Sequence, residues 1–263
     1  MTPWKRKETI GDCTLYLGDC LGVLEAVEGA HAVITDPPYS SGARTTAQMR
    51  GRGGMSRKDE WNDNPLPNDR LSVTGFTWLM RQVGLEAERV LVEGGSFLSF
   101  IDWRQYPTLY GCIESCNLQI TNLVVWDKEV FGMGNGFRNQ HELVLHASKG
   151  TARVFDRSVP NVIGSKRISS SELHPTEKPV GLLEEFVRVC TDVGETVLDP
   201  FMGSGTTGAA CVKNGRSFIG IELDERYFDV SCERLRKLYQ QPDMFRPKAP
   251  EPVQTAMFSE DAA

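Results

Sequence analysis

Short unbroken apolar runs alternate along this chain with longer stretches whose apolar residues recur every three or four positions. The runs read as buried strands and the stretches as amphipathic helices. Residues 14–19, 32–35, 96–101, 121–126, 142–146, 196–198 and 218–221 predict seven strands. Residues 21–27 predict a short helix. Phe76, Leu79, Met80, Val83, Ala87, Val90 and Leu91 line one face of a helix over 74–92, which Gly94-Gly95 should break. Pro179 stands where a first helical turn favours proline. Behind it, Leu182, Leu183, Phe186, Val187 and Cys190 form one face, and Gly194 stops the helix. A helix over 206–213 and a last one, capped by Asp224 and reaching about Tyr239, complete the pattern. Strands alternating with helices predict one α/β domain over residues 1–239. Three stretches lack such periodicity. Residues 40–73, rich in Gly, Arg, Ser and Asn, read as a long loop, 149–173 as an irregular segment, and 240–263, rich in Pro and polar residues, as a flexible tail.

Composition narrows the class. In 263 residues no apolar run approaches the roughly 20 that a membrane span needs. The start of the chain is basic without an apolar stretch behind it, so it does not read as a signal peptide. Seven cysteines without framework spacing read as reduced thiols of a cytoplasmic protein. Cys112 and Cys116 lack a second Cys/His pair nearby, so no metal is expected. The net charge of −6 argues against a nucleic-acid partner, but its distribution argues for one. Arg44, Arg50, Arg52, Arg57 and Lys58 fall in a stretch without acids. Lys149, Arg153, Arg157, Lys166 and Arg167 share another stretch with Asp156 alone. Both suit a phosphate-binding surface.

Two motifs carry candidate chemistry. The strand over 32–35 runs into Asp36-Pro37-Pro38-Tyr39. The lone pair of an exocyclic base amine is delocalised into its ring and must localise before the nitrogen can attack an electrophile. The Asp36 carboxylate, helped by the Pro37 carbonyl, can accept the amine N–H groups and favour that change. Two prolines stiffen the turn, and Tyr39 offers a face for a base extruded from a duplex. The strand over 196–198 runs into Asp199-Pro200-Phe201-Met202-Gly203-Ser204-Gly205-Thr206-Thr207-Gly208. Its glycines let backbone approach a nucleotide-like cofactor, and Glu222, at the end of the next strand, can hold ribose hydroxyls. A nicotinamide dinucleotide fold would look the same at this level. Asp19, ending the first strand, can accept from a cofactor amine or simply cap a helix.

Together these motifs resemble the DNA amino-methyltransferases that use S-adenosylmethionine. Their order, tetrapeptide before glycine loop, is similar to that family's beta class. The resemblance covers about residues 12–238. It implies a seven-stranded mixed, mostly parallel Rossmann-like sheet with helices on both faces and circularly permuted motif order. The Asp36 and Gly203 loops should then meet at the carboxyl edge of adjacent strands. It also implies catalytic roles for Asp36, Pro37, Pro38 and Tyr39. The implied cofactor contacts are Asp19, Cys20, Asp36, Lys178, Asp199, Pro200, Phe201, Gly203, Ser204, Gly205, Thr206, Thr207, Glu222 and Leu223, with Lys178 carried by the family-like segment His174-Pro175-Thr176-Glu177-Lys178-Pro179. The aspartate form of the tetrapeptide implies N6-adenine as target, with N4-cytosine as the alternative. A nicotinamide-dependent oxidoreductase and a non-catalytic accessory protein that binds DNA or a clamp are the other readings.

Double-stranded DNA is the implied partner, with Arg44, Arg50, Arg52, Arg57, Lys58, Arg138, Lys166 and Arg167 as its contacts. Residues 40–60 are expected to order on DNA. The family usually has a larger target-recognition region where this chain has the short stretch 150–174, so a relaxed or short sequence preference is expected. A role in restriction-modification, in the cytoplasm of a bacterium or a phage-infected cell, fits the resemblance, and a homodimer stays open. Gln241-Pro242-Asp243-Met244-Phe245 and Gln254-Thr255-Ala256-Met257-Phe258 share one pattern, similar to peptides that bind bacterial sliding clamps. A tether of that kind would raise the local enzyme concentration on DNA.

Overall fold

A computed structural model describes residues 2–38, 71–132, 136–168 and 177–240. Tyr39, the basic residues Arg44, Arg50, Arg52, Arg57 and Lys58, His174 and both Gln-x-x-Met-Phe motifs lie outside the described residues. Nine strands form one sheet in the order β1-β2-β9-β8-β3-β4-β6-β5-β7. They are β1 (Trp4–Ile10), β2 (Cys13–Gly18), β3 (Ala30–Thr35), β4 (Leu91–Ile101), β5 (Gln119–Asp127), β6 (His141–Ser148), β7 (Val162–Gly164), β8 (Thr196–Asp199) and β9 (Ser217–Glu222). Six helices accompany them among the described residues: α1 (Cys20–Leu24), α2 (Val73–Val90), α3 (Tyr106–Glu114), α4 (Val180–Cys190), α5 (Thr206–Lys213) and α6 (Glu225–Gln240).

The five strands β2, β9, β8, β3 and β4 run parallel, while β1 and β6 pair antiparallel. Their central residues are buried on both faces, which explains the unbroken apolar runs. In β4, Leu98 and Phe100 enter a core with α4, α5 and α6, whereas Phe97 and Ile101 enter another with α1, α2 and α3. After β3 the chain continues to β4 on one side, and after β8 it continues to β9 on the other. The neighbours β3 and β8 therefore form a topological switch point, where open α/β sheets hold ligands outside their carboxyl edge.

The expected α/β class, the mostly parallel sheet and the adjacency of the two motif strands are observed. The strand count is nine rather than seven. The first missing strand, β1, turns Trp4, Arg6, Glu8 and Ile10 inward and the others toward solvent. Its inward charges pair with α6, Arg6 with Asp229 and Glu8 with Arg236, so no apolar alternation marks it. The second, β7, is a three-residue strand paired with β5 inside the segment read as irregular. A further helix, α3, was also unmarked. Gly94-Gly95 does not break a helix. The chain turns extended at Leu91, and both glycines sit in β4, where the Gly94 N–H donates to the Lys149 carbonyl and Gly95 accepts from the Lys149 N–H.

Candidate active site

A cavity of about 730 Å³ opens along the carboxyl edge of β2, β9, β8, β3 and β4. Nearly all the described residues of the two motifs line it. On one half stand Asp19, Cys20, Pro200, Phe201, Gly203, Ser204, Thr206, Thr207, Glu222 and Leu223; Asp36, Pro37, Pro38, Lys178 and Asp199 stand at the centre. Gly205 is not part of the lining. On the other half stand Trp78, Trp103, Arg104, Lys128, Asn139, His141 and Glu142.

The glycine half is built from backbone. Asp199 closes β8 and is almost fully buried. One of its oxygens accepts from Thr35 Oγ1 at 2.7 Å and the Phe201 N–H at 3.0 Å, the other from Thr207 Oγ1 at 2.7 Å. It thus welds the ends of β3 and β8 to the start of α5. Burial pushes its carboxyl up to about 6. Glu222 does the same for the next strand, accepting from the N–H groups of Gly203, Leu223 and Asp224 at 2.8–2.9 Å. Burial pushes its carboxyl up to about 7, against the pull of those donors. Asp19 caps α1 by accepting from the Leu21 N–H. Beside it the Cys20 thiol is pushed up to about 12, by burial first and then by Asp19, so it stays a thiol.

Gly203 and Gly205 have φ of +52° and +75°, a region that disfavours side chains. A Cβ on Gly203 would meet nothing within 4 Å, so the bare loop backbone borders open space. Support comes from behind. Ser231 Oγ donates to the Gly203 carbonyl at 2.6 Å. Arg234 donates to the Ser204 carbonyl and Thr206 Oγ1 and pairs with Glu177 at 2.7 Å. One guanidinium on α6 therefore ties the glycine loop to the residue before Lys178.

The other half is built from charges. Lys178 Nζ lies 2.5 Å from Asp36 Oδ2 and 3.4 Å from Glu142 Oε2. Lys128 pairs with the other oxygen of Glu142. The order Asp36, Lys178, Glu142, Lys128 alternates in sign, and each lysine also stands over an aromatic face. Lys178 is 4.9 Å from the Phe100 ring centroid and Lys128 is 5.1 Å from that of Trp126. Burial pushes the Asp36 carboxyl up, and Lys178 only partly offsets this. Glu142 feels the same burial, but its two lysines outweigh it and hold its carboxyl below the ordinary range. Asp36 Oδ1 is buried and has no hydrogen-bond partner among the described residues.

Of the expected DNA contacts, Arg138 lies 3.7 Å over the Phe131 ring and donates to the Gly132 carbonyl. Lys166 and Arg167 are exposed beside the end of β5, where the Ser165 N–H donates to the Asp127 carbonyl. Sequence reading missed Lys128, Ser231 and Arg234, and placed Glu142 only in a strand. The one local signal for the α6 pair was a serine and an arginine falling on the face marked by Tyr227, Phe228 and Leu235. No helix among the described residues is long and apolar enough to cross a membrane.

Comparison with known proteins accords with this geometry. The family model N6_N4_Mtase, described as DNA methylase, matches residues 30–233. Type II methyltransferase M.HinfI of Haemophilus influenzae is 30% identical over 269 residues, spanning 90% of this chain and 72% of that protein. The putative methylase YubD of Escherichia coli K12 is 31% identical over 241 residues, spanning 88% of this chain and 97% of its own length. Among solved structures, the PvuII DNA methyltransferase, cytosine-N4-specific, superposes with a TM-score of 0.69 at 18% identity, over 90% of this chain and 95% of that one. The M1.HpyAVI-SAM complex superposes with a TM-score of 0.63 at 23% identity, over 85% and 99% respectively. These two likenesses concern the fold. The match to the family model and the two curated relatives identify the chain as a member of the N6/N4 DNA methylase family, enzymes that methylate DNA.

Proposed function

We propose that this enzyme transfers a methyl group from S-adenosylmethionine to the exocyclic N6 amine of an adenine flipped out of double-stranded DNA. The observation that carries the reading is the Asp36 carboxylate. Its Oδ2 is held by Lys178, and its buried Oδ1 is left without a partner among the described residues, in a cavity shared with the glycine loop. A buried acceptor without a donor is costly unless a ligand supplies one. An amine N–H is such a donor.

The glycine half fits the cofactor. Among the described residues its lining, residues 18–21, 199–204, 206–207 and 221–224, contains acids but no lysine or arginine. A dinucleotide pyrophosphate would find no cationic side chain there, whereas a sulfonium and an ammonium would find acids. When bound, S-adenosylmethionine supplies an electrophilic methyl group. The chain's own residues do the rest. Asp36 Oδ1 accepts one N–H of the target amine and draws the nitrogen lone pair out of the ring. The Pro37 carbonyl assists from the same turn. Lys178 holds Asp36 Oδ2 and so fixes the direction of Oδ1. The upward push of burial on Asp36 suits it to take the proton that the amine gives up. Glu177 and Arg234 keep Lys178 in register with the glycine loop. The aspartate form of the tetrapeptide favours adenine. The PvuII-like fold does not discriminate, so N4-cytosine is the second reading.

The test is transfer of tritium from labelled S-adenosylmethionine into unmethylated duplex DNA, followed by nucleoside chromatography. Label in N6-methyldeoxyadenosine is expected. Label in N4-methyldeoxycytidine would replace the target, and an unlabelled nucleoside pool would overturn the reading.

A further inference from the structure

Two tryptophans are unexpectedly open to solvent for so large an apolar side chain. Trp78 is 59% exposed and Trp103 is 51% exposed. They come from different elements, Trp78 from the first turns of α2 and Trp103 from the segment that leaves β4. Neither serves a core. The buried face of α2 is Phe76, Met80, Val83, Gly84, Ala87 and Val90, and Trp78 lies off it. Both nonetheless line the cavity that holds Asp36. Their place in the sheet order is informative. β4 follows β3 on the side away from β8, so Trp103 flanks Asp36 opposite the glycine loop. The Arg104 guanidinium stands 4.8 Å from the Trp103 ring centroid, which makes a cation-capped aromatic wall.

We infer that Trp78, Trp103 and Arg104 form the rim on which unstacked bases of the substrate strand rest as the target base enters. The inference rests on the reading of the cavity as a base-flipping methyl-transfer site and adds the residues that hold the strand. Extruding one base exposes the faces of its neighbours. Aromatic side chains are the sequence-tolerant partner for such faces, and an arginine adds charge for the backbone. A second copy of this chain is the rival occupant. Two features favour nucleic acid: the rings are continuous with the catalytic cavity, and the third member of the wall is a cation.

The experiment uses the full chain, tritiated S-adenosylmethionine and unmethylated duplex DNA, with Trp78→Ala, Trp103→Ala, the double variant, Trp103→Phe and Arg104→Ala. Each alanine change at a tryptophan should raise the KM for DNA about tenfold, equivalent to about 1.4 kcal/mol. The KM for cofactor should stay within about twofold on the same tenfold scale. Trp103→Phe should restore most of the loss. The salt dependence of DNA binding should keep its slope in the tryptophan variants and flatten by about one in Arg104→Ala. A double variant with native KM for DNA, in an enzyme that does methylate DNA, overturns the rim and leaves the function standing. A native enzyme that labels no DNA overturns both. Native dimers that sediment as monomers once both tryptophans are replaced would assign the surface to a second copy and overturn the inference.

Discussion

The two halves of the cavity hold their carboxylates in opposite ways. In the glycine half, Asp19, Asp199 and Glu222 are held by backbone N–H groups and threonine hydroxyls, and none of them forms an ion pair among the described residues. In the other half, Asp36 and Glu142 are held by Lys178 and Lys128, and one Asp36 oxygen is left without a partner among the described residues. Dipoles fixed by secondary structure cannot leave, so the first half is a preformed cradle. Charges on long side chains balance only as a set, so the second half is sensitive to the loss of any member. Binding and chemistry should therefore separate under mutation.

Asp36→Ala is the strongest test of that separation. Transfer of label to DNA should fall by about three orders of magnitude, the scale of losing a group that stabilises developing charge. Cofactor affinity, read by calorimetric titration, should change little, because the cradle does not use Asp36. Equal losses in both would mean that the halves are one unit.

Lys178→Met comes next. Its side chain is only 9% exposed and lies between two carboxylates. Removing the ammonium leaves Asp36 and Glu142 facing each other across a buried space. Stability should drop by about 3 kcal/mol, seen in urea unfolding. Lys178→Met combined with Glu142→Gln should recover part of it, since one of the stranded charges is gone. A lone Lys178→Met variant as stable as the native chain would refute the charge array.

The halves also differ in how legible they were from sequence. The glycine loop of the cradle is local, though Asp199 also meets Thr35 across 164 residues. A strand, a turn and a helix start sit within residues 197–207, and apolar runs announce β8 and β9. The charge array is not local, since Lys178 meets Asp36 across 142 residues. No spacing rule connects Lys128, Glu142 and Lys178, and only the antiparallel pairing of β5 with β6 brings the first two together. The same limit hid β1, whose inward Arg6 and Glu8 read as surface until α6 supplied their partners. Patterns of burial were visible; pairings of charge needed the fold.

A smaller effect should come from Gly205→Ala. With φ at +75°, an added methyl is strained, and it would stand 3.1 Å from Ser231 Cβ. Ser231 in turn holds the Gly203 carbonyl. The strain, about 1–2 kcal/mol, should appear as roughly tenfold weaker cofactor binding. The KM for DNA should be unmoved. A matching loss in DNA affinity would show the cradle reaching further than its hydrogen bonds suggest.

The last effect, read as a slope against pH, tests whether burial keeps the cradle neutral against the pull of its hydrogen bonds. Burial raises the Glu222 carboxyl from its ordinary 4.5 to about 7. Between those values the folded chain holds a proton that the unfolded chain has released. Stability linked to this group is therefore fully present below about pH 4.5 and is lost as pH rises toward about 7. Glutamine at 222 cannot titrate, so Glu222→Gln should lack that part of the decline. The variant also loses an acceptor for one of three N–H groups, which lowers its stability by a constant amount. The slope, not the offset, carries the information. Asp199, raised to about 6 by its own burial, is present in both chains and cancels. Melting temperatures of the cofactor-free chains, compared across this range, should show the native falling relative to the variant by up to about 1.4 kcal/mol per pH unit. Parallel curves would mean that the donors from Gly203, Leu223 and Asp224 outweigh burial and keep Glu222 ionised throughout. The cradle would then carry a full negative charge toward the sulfonium, and the two halves of the cavity would differ less than their hydrogen bonds suggest.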